Sequence, residues 1–200
     1  MNETSLNRFI RLMLSLAAAT CLAACSSAAA DPPLKGARIG GPFALTDQDG
    51  RTVRDSDFAG KYRIVYFGYT HCPDICPNDL AVIGQAMRRL DKSAPALAAR
   101  IQPVFVTVDP ERDTPAVMKA YTAAFYPRLV GLTGTPSQVA AMTKEFAVWS
   151  AKQPAQPGGG YAVDHSRTTL LMGPKGEPLA LLPSDQGADA LVAELTKWAK

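Results

Sequence analysis

Two hydrophobic rhythms alternate along this chain. Residues 61–68 (K-Y-R-I-V-Y-F-G) form a nearly unbroken apolar run, which predicts a strand buried inside a sheet. After Pro77 the period changes: Leu80, Ile83, Met87 and Leu90 recur at three- and four-residue spacing and define one face of a helix. Pro77 suits the first helical position, where a missing N–H costs nothing. Residues 104–108 (V-F-V-T-V) return to the strand pattern. Thr114-Pro115 then supplies a cap and first turn for a helix carrying Val117, Tyr121 and Phe125. A short strand is expected over 129–132, followed by a helix over 136–146 that aligns Val139, Met142 and Phe146. Strands at 168–172 and 179–182 flank the turn Gly173-Pro174-Lys175-Gly176, and Ala188, Leu191, Val192, Leu195 and Trp198 form a last amphipathic helix. Upstream, 43–46 and 51–53 flank Asp47-Gln48-Asp49-Gly50 as a small hairpin. Strands alternating with helices, closed by a hairpin and a helix, predict an α/β domain with a central mixed sheet flanked by helices.

That order, β-α-β, then α, then β-β-α, is similar to the thioredoxin-like fold. A chain of 200 residues suits one such domain, and 47% hydrophobic with 20% charged residues is ordinary globular composition. The net charge of +3 comes with no basic run, so nothing points to nucleic acid as a partner.

The N-terminus changes the picture more. Arg8 and Arg11 precede an apolar stretch from Leu12 to Ala19, the layout of a secretory signal. Leu22-Ala23-Ala24-Cys25 then resembles the bacterial lipobox, whose cysteine is lipidated. An uncleaved anchor helix is the alternative, but Leu12 to Ala24 is shorter than the roughly 17–25 residues a bilayer span needs. The expected organisation is a signal peptide over 1–24, a lipidated Cys25 with a tether over 25–35, and a domain over 36–200. The protein would then sit at the extracytoplasmic, periplasmic face as a membrane-anchored lipoprotein.

Of four cysteines, Cys21 then leaves with the signal and Cys25 carries lipid, so Cys72 and Cys76 remain. Two thiols four positions apart make a local disulfide, a redox couple or a metal site. They lie in Tyr69-Thr70-His71-Cys72-Pro73-Asp74-Ile75-Cys76-Pro77, where a strand gives way to a helix. Cys76 is expected at the N-cap, where the helix dipole would lower its pKa. Dithiol catalysts of the thioredoxin type use C-x2-C, and the third intervening residue here leaves room for a metal between the sulfurs. The chain holds two histidines. His71, next to Cys72, is expected to point away, whereas His165 precedes the 168–172 strand, in the loop that faces the cysteines in a thioredoxin-like arrangement. That loop usually carries a cis-proline in oxidoreductases, and no proline occurs between Pro157 and Pro174. Two thiolates and one imidazole are soft donors that favour copper, as Cu(I) or Cu(II), with zinc second. Asp164 is a candidate to orient His165, and Asp109 with Arg112 to tune the thiolates or dock a partner. The structural alternative has Asp113 and Thr114 capping the next helix and Glu111 and Arg112 solvated. Thr70 lies two residues before Cys72, whereas a peroxiredoxin-like site would place threonine three before its cysteine.

Four blocks carry a family resemblance: Gly68 to Pro77, Val106-Thr107-Val108-Asp109-Pro110-Glu111-Arg112-Asp113-Thr114-Pro115, Leu129-Val130-Gly131-Leu132-Thr133-Gly134, and Val163-Asp164-His165-Ser166. In this order they resemble the Sco/SenC copper proteins. The resemblance implies one copper per domain, ligated by Cys72, Cys76 and His165, and a role in assembling the CuA centre of cytochrome c oxidase. It implies the oxidase's copper-domain subunit as partner, with a copper donor protein and a thiol reductant. Many such proteins keep a transmembrane helix where this chain carries the lipobox. The alternative function on the same two thiols is an extracytoplasmic thiol-disulfide reductase.

Overall fold

A computed structural model describes residues 30–155 and 158–200. The expected signal peptide and Cys25 lie outside the described residues. No helix among those described is long and apolar enough to cross a membrane.

The chain forms β1 (Ala44–Asp47), β2 (Thr52–Arg54), β3 (Tyr62–Gly68), α1 (Ile75–Ser93), α2 (Pro95–Ala99), β4 (Ile101–Thr107) and α3 (Pro115–Ala123). It continues with β5 (Val130–Thr133), α4 (Pro136–Glu145), β6 (Ser150–Lys152), β7 (Val163–His165), β8 (Thr169–Met172), β9 (Pro178–Leu181) and α5 (Ala188–Trp198). Seven strands make a mixed sheet in the order β2-β1-β5-β4-β3-β8-β9, and β6 and β7 make a second, two-stranded one. The expected α/β, thioredoxin-like class is the one found.

The sheet's centre follows from the apolar runs. Every residue of β3 is buried, as a strand covered on both faces must be. It pairs in parallel with β4, from Tyr62 opposite Ile101 to Gly68 opposite Thr107. A parallel pair needs a crossover, and α1 with α2 supplies it. The one charge in β3, Arg63, is buried but paired with Asp55 and stacked over the Phe58 ring. On α1 the expected face of Leu80, Ile83, Met87 and Leu90 is buried, and α5 lies alongside with Leu191 and Leu195 inward.

Three sequence readings are corrected. Helix α1 begins at Ile75, so Pro77 is its third residue and Cys76 lies inside its first turn, with Asp74 at the N-cap. On α3 the buried pair is Met118 and Thr122, whereas Val117 and Tyr121 are half-buried and Phe125, expected on this helix, lies two residues past its end. The Thr122 hydroxyl donates to the Met118 carbonyl within its own helix, so a polar residue faces inward with its hydroxyl satisfied. Gly131 of β5 makes this approach close: a Cβ there would stand 2.9 Å from the Thr122 methyl. Finally, the stretch read as a loop before residue 168 contains β7, which pairs with β6 from Ser150 opposite His165 to Lys152 opposite Val163.

The topology places three segments together. Strands β3 and β4 run parallel, so their carboxyl ends share one edge of the sheet. Strand β8 runs antiparallel to β3, with Thr169 opposite Tyr66, so the chain leaving β7 enters at that same edge. Residues 69–74, 108–114 and 161–168 therefore meet where open α/β sheets carry their sites.

Candidate metal centre

Cys76 is fully buried under the first turn of α1, and its backbone N–H donates to Cys72 Sγ at 3.4 Å. Gly68 makes room for the Cys76 sulfur: a Cβ there would lie 2.8 Å from Sγ. Cys72 is half-buried one turn earlier, and both thiols are free. His165, the last residue of β7, brings Nε2 to 3.4 Å from Cys76 Sγ. Its Nδ1 lies 3.1 Å from the Ser166 carbonyl. A carbonyl only accepts, so Nδ1 carries the proton and the Nε2 lone pair faces the sulfurs. The Tyr69 ring meets the imidazole edge-on, with centroids 6.0 Å apart. The donor atoms of Cys72, Cys76 and His165 all lie within 4.8 Å of one another. Cys72 and His165 line a cleft of about 420 Å³ whose rim includes Pro73, Ile75 and Val163, and Cys76 lies buried behind it.

Burial sets the charge state here. The Cys76 thiol is pushed up to about 12, first by loss of water and then by its hydrogen-bond contact with Cys72. The sequence suggested a shift the other way, from the helix dipole. The dipole is worth roughly half a charge at the helix end, and desolvation of a fully buried thiolate outweighs it. The Tyr66 hydroxyl is also buried, with no hydrogen-bond partner among the described residues. Burial pushes its ionisation well above the ordinary range, and the charges of Cys76 and Asp79 push it further.

Around the donors, each loop is tied to another. Buried Asp113 accepts from the Thr70 amide at 3.0 Å, the Thr70 hydroxyl at 2.6 Å and the Thr107 hydroxyl at 2.6 Å. It thus fixes the cysteine loop to the end of β4. Capping of α3 falls to Thr114, which accepts from the Val117 amide. Asp109 is buried and holds Arg112 as an ion pair, and it accepts from the Tyr161 hydroxyl at 2.8 Å. Arg112 is paired and stacks over the Tyr161 ring at 3.6 Å, unlike the solvated arginine of the structural alternative. Glu111 pairs with Lys152 on the surface. Asp109 therefore anchors the segment that leads to His165, and none of its hydrogen bonds or ion pairs reaches a sulfur. Asp164, expected to orient His165, instead accepts from the Gln153 side chain at 2.6 Å. Adjacent residues of a strand face opposite ways, and the Ser166 carbonyl holds the imidazole. His71 stands outside the donor group, half-exposed and near Asp113.

Two residues escaped the sequence reading. Asp79, buried on α1, receives a forked pair from Arg167, Nε to Oδ2 at 2.9 Å and Nη2 to Oδ1 at 2.6 Å. A lone aspartate within the apolar stripe of a helix is the signal that would have found the first. Arg167 has no such signal, because its role exists only across the sheet edge.

Comparison with known proteins agrees with this geometry. The family model described as SCO1/SenC matches residues 31–200. The mitochondrial SCO2 homolog of Bos taurus is 44% identical over 144 residues, covering 72% of this chain and 53% of the bovine protein. The chain thus matches about half the length of that relative. ScoI of Bradyrhizobium japonicum, solved with copper bound, is 39% identical with a TM-score of 0.72, covering 80% of this chain and 99% of that one. Yeast Sco1, also solved with copper bound, is 37% identical with a TM-score of 0.73 over 80% of this chain and 87% of its own. From residue 31 to its last residue, this chain belongs to the SCO1/SenC family.

Proposed function

We propose that this protein binds one copper ion through Cys72 Sγ, Cys76 Sγ and His165 Nε2, and passes it on in the assembly of the CuA centre of cytochrome c oxidase. The observation that carries this reading is the donor group itself. Two free thiols and an imidazole with its other nitrogen already engaged lie within 4.8 Å of one another, and Cys72 and His165 open onto a cleft. These are soft donors suited to copper, and ScoI and Sco1 of the same family have been solved holding it. Copper is cargo here. Three ligands leave a position through which an acceptor thiolate can enter, so the ion moves by ligand exchange and is never released to water. Lipid on Cys25 would hold the cleft beside the membrane, facing the oxidase's copper-domain subunit on the extracytoplasmic side. A copper donor protein and a thiol reductant complete the set of partners.

Anaerobic titration of the reduced domain tests the site. One copper per chain is expected, with binding lost in Cys72→Ser/Cys76→Ser and weakened in His165→Ala. Undiminished binding by the double serine variant would move the site elsewhere. For the purpose, a deletion strain should lose oxidase activity most severely when copper is scarce. For the anchor, mass spectrometry of membrane-extracted protein should find an N-terminus at a lipidated Cys25.

A thiol-disulfide reductase is the second reading, and one observation favours it. Cys72 is reachable and Cys76 buried, the asymmetry of an attacking and a resolving thiol. His165→Ala separates the two: a copper carrier fails without the imidazole, whereas a dithiol reductase keeps most of its activity.

A further inference from the structure

We propose that Arg167 is a positioning residue, whose forked pair with Asp79 fixes His165 against Cys76. The proposal rests on the copper reading above only in taking His165 as a ligand.

Two cross-links join the same two segments side by side. On α1, Cys76 and Asp79 are three residues apart, a spacing that puts both side chains on one helix face. At the end of β7 and just beyond it, His165 and Arg167 are two residues apart and both reach α1. The first cross-link is the 3.4 Å approach of His165 Nε2 to Cys76 Sγ. The second is the bidentate Arg167–Asp79 pair at 2.6 and 2.9 Å. Thiol and imidazole are weakly bonded without metal, so the first has little strength to set its own distance. The second has it: the carboxylate is fully buried, and a guanidinium fork matches its two oxygens in one plane.

The other fastenings of this segment tie it to β6 and its approach rather than to α1: Ser150 stands opposite His165, and the Ser166 amide donates to the Trp149 carbonyl at 2.9 Å. The chain approaches β7 through Gly158, Gly159 and Gly160, all at positive φ, which impose no direction on the strand beyond them. Upstream, Tyr161 is fastened by Asp109 and Arg112 four residues before His165. Downstream, Arg167 is two residues away and is the fastening that lands on the helix bearing Cys76. Fixing both ends of the ligand-bearing segment pre-organises the imidazole, so copper need not order it on arrival.

The test uses the reduced protein in two ways. In the metal-free state, long-range proton–nitrogen NMR of His165 should show one Nδ1-protonated tautomer in wild type. Arg167→Gln should give a mixture of tautomers, and Arg167→Lys should recover wild type in part. In copper titrations, Arg167→Gln should weaken binding about 10-fold and shift the Cu(II) absorption toward that of His165→Ala. His165→Ala/Arg167→Gln should bind no more weakly than His165→Ala alone, because Arg167 acts through the imidazole. Should Arg167→Gln fold poorly, Asp79→Asn/Arg167→Gln leaves no unpaired charge buried and should show the same tautomer mixture. An unchanged tautomer and spectrum in either variant overturns the proposal, as does an equal loss of affinity with and without His165. If wild type binds no copper, the carrier reading falls, and the metal-free imidazole signal still decides the role of Arg167.

Discussion

The wall of the site that carries Cys76 is a helix seated on apolar side chains, whereas the wall that carries His165 is a three-residue strand paired to β6 and fastened by charges and aromatic rings. On the first, Leu80, Ile83, Met87 and Leu90 sink into the core beneath β3, and the sulfur is buried with them. On the second, Val163 is the buried residue of β7, and the ladder with β6 shares the holding with Tyr161, Arg112, Asp109, Arg167 and Asp79. Hydrophobic burial is non-directional and cooperative, so the helix wall rises and falls with the whole domain. Polar fastenings are local and can release one at a time. The proposed copper carrier would gain from that division: two sulfurs on or near a fixed wall would retain the ion, and a separately held imidazole would admit or release it.

The comparison is broken most severely from the helix side. Leu80→Ala should cost about 3 kcal/mol through lost burial and the cavity left behind. Urea unfolding should show the midpoint falling, while copper stoichiometry of the remaining folded protein stays at that of wild type. A loss below about 1 kcal/mol would mean that the helix wall does not depend on its apolar face.

On the other wall, Tyr161→Leu removes the 2.8 Å bond to Asp109 and the ring that Arg112 and Lys152 cover at 3.6 and 4.0 Å. It should cost about 1–2 kcal/mol. Hydrogen exchange should quicken in β6 and β7 and stay slow in β3 and α1. Faster exchange throughout would show that the two walls are not held separately.

The buried sulfur sharpens the contrast through pH. Iodoacetamide at neutral pH should label half-buried Cys72 well before Cys76. Burial raises the Cys76 thiol from 9.0 to about 12 in the folded, metal-free state, so the folded protein holds this proton more tightly than the unfolded chain. The stability this supplies is complete below the ordinary thiol pKa and is lost as pH climbs toward the folded value. Urea midpoints measured from about pH 8 to about pH 10.5 should therefore fall more steeply in wild type than in Cys76→Ser. Parallel slopes would show that the thiolate is not desolvated.

The smallest effect lies at the junction of α4 with β6. Ala147 sits at φ 54, a left-handed conformation that costs an alanine more than a glycine. Ala147→Gly should gain about 0.5 kcal/mol, seen as a small rise in Tm with copper binding unchanged.

Much of the helix wall was legible because its causes are repetitive. The run at 61–68 and the stripe from Leu80 to Leu90 each contain several residues bearing the same message, so an error at one is outvoted by the rest. Where a single residue decided the outcome, the reading slipped. Pro77 pointed to a helix start at itself, but the helix begins two residues earlier at Ile75, which moved Cys76 from the cap into the buried first turn and reversed the sign of its shift. Thr122 reads as polar, yet its hydroxyl bonds within α3 and its methyl faces Gly131.

By itself, the sequence determined the donor types, the C-x3-C spacing, the alternation of strand and helix and the family signature, since each is a property of neighbours along the chain. The tertiary structure decided which partners those residues meet. Antiparallel pairing of β8 with β3 brings His165 to Cys76 across 89 positions, and it lands Arg167 on Asp79 across 88. Asp164 lost the orienting role to the Ser166 carbonyl, a backbone group that no side-chain pattern announces. Contacts between residues so far apart depend on where the sheet puts its edges, and local spacing carries no record of that.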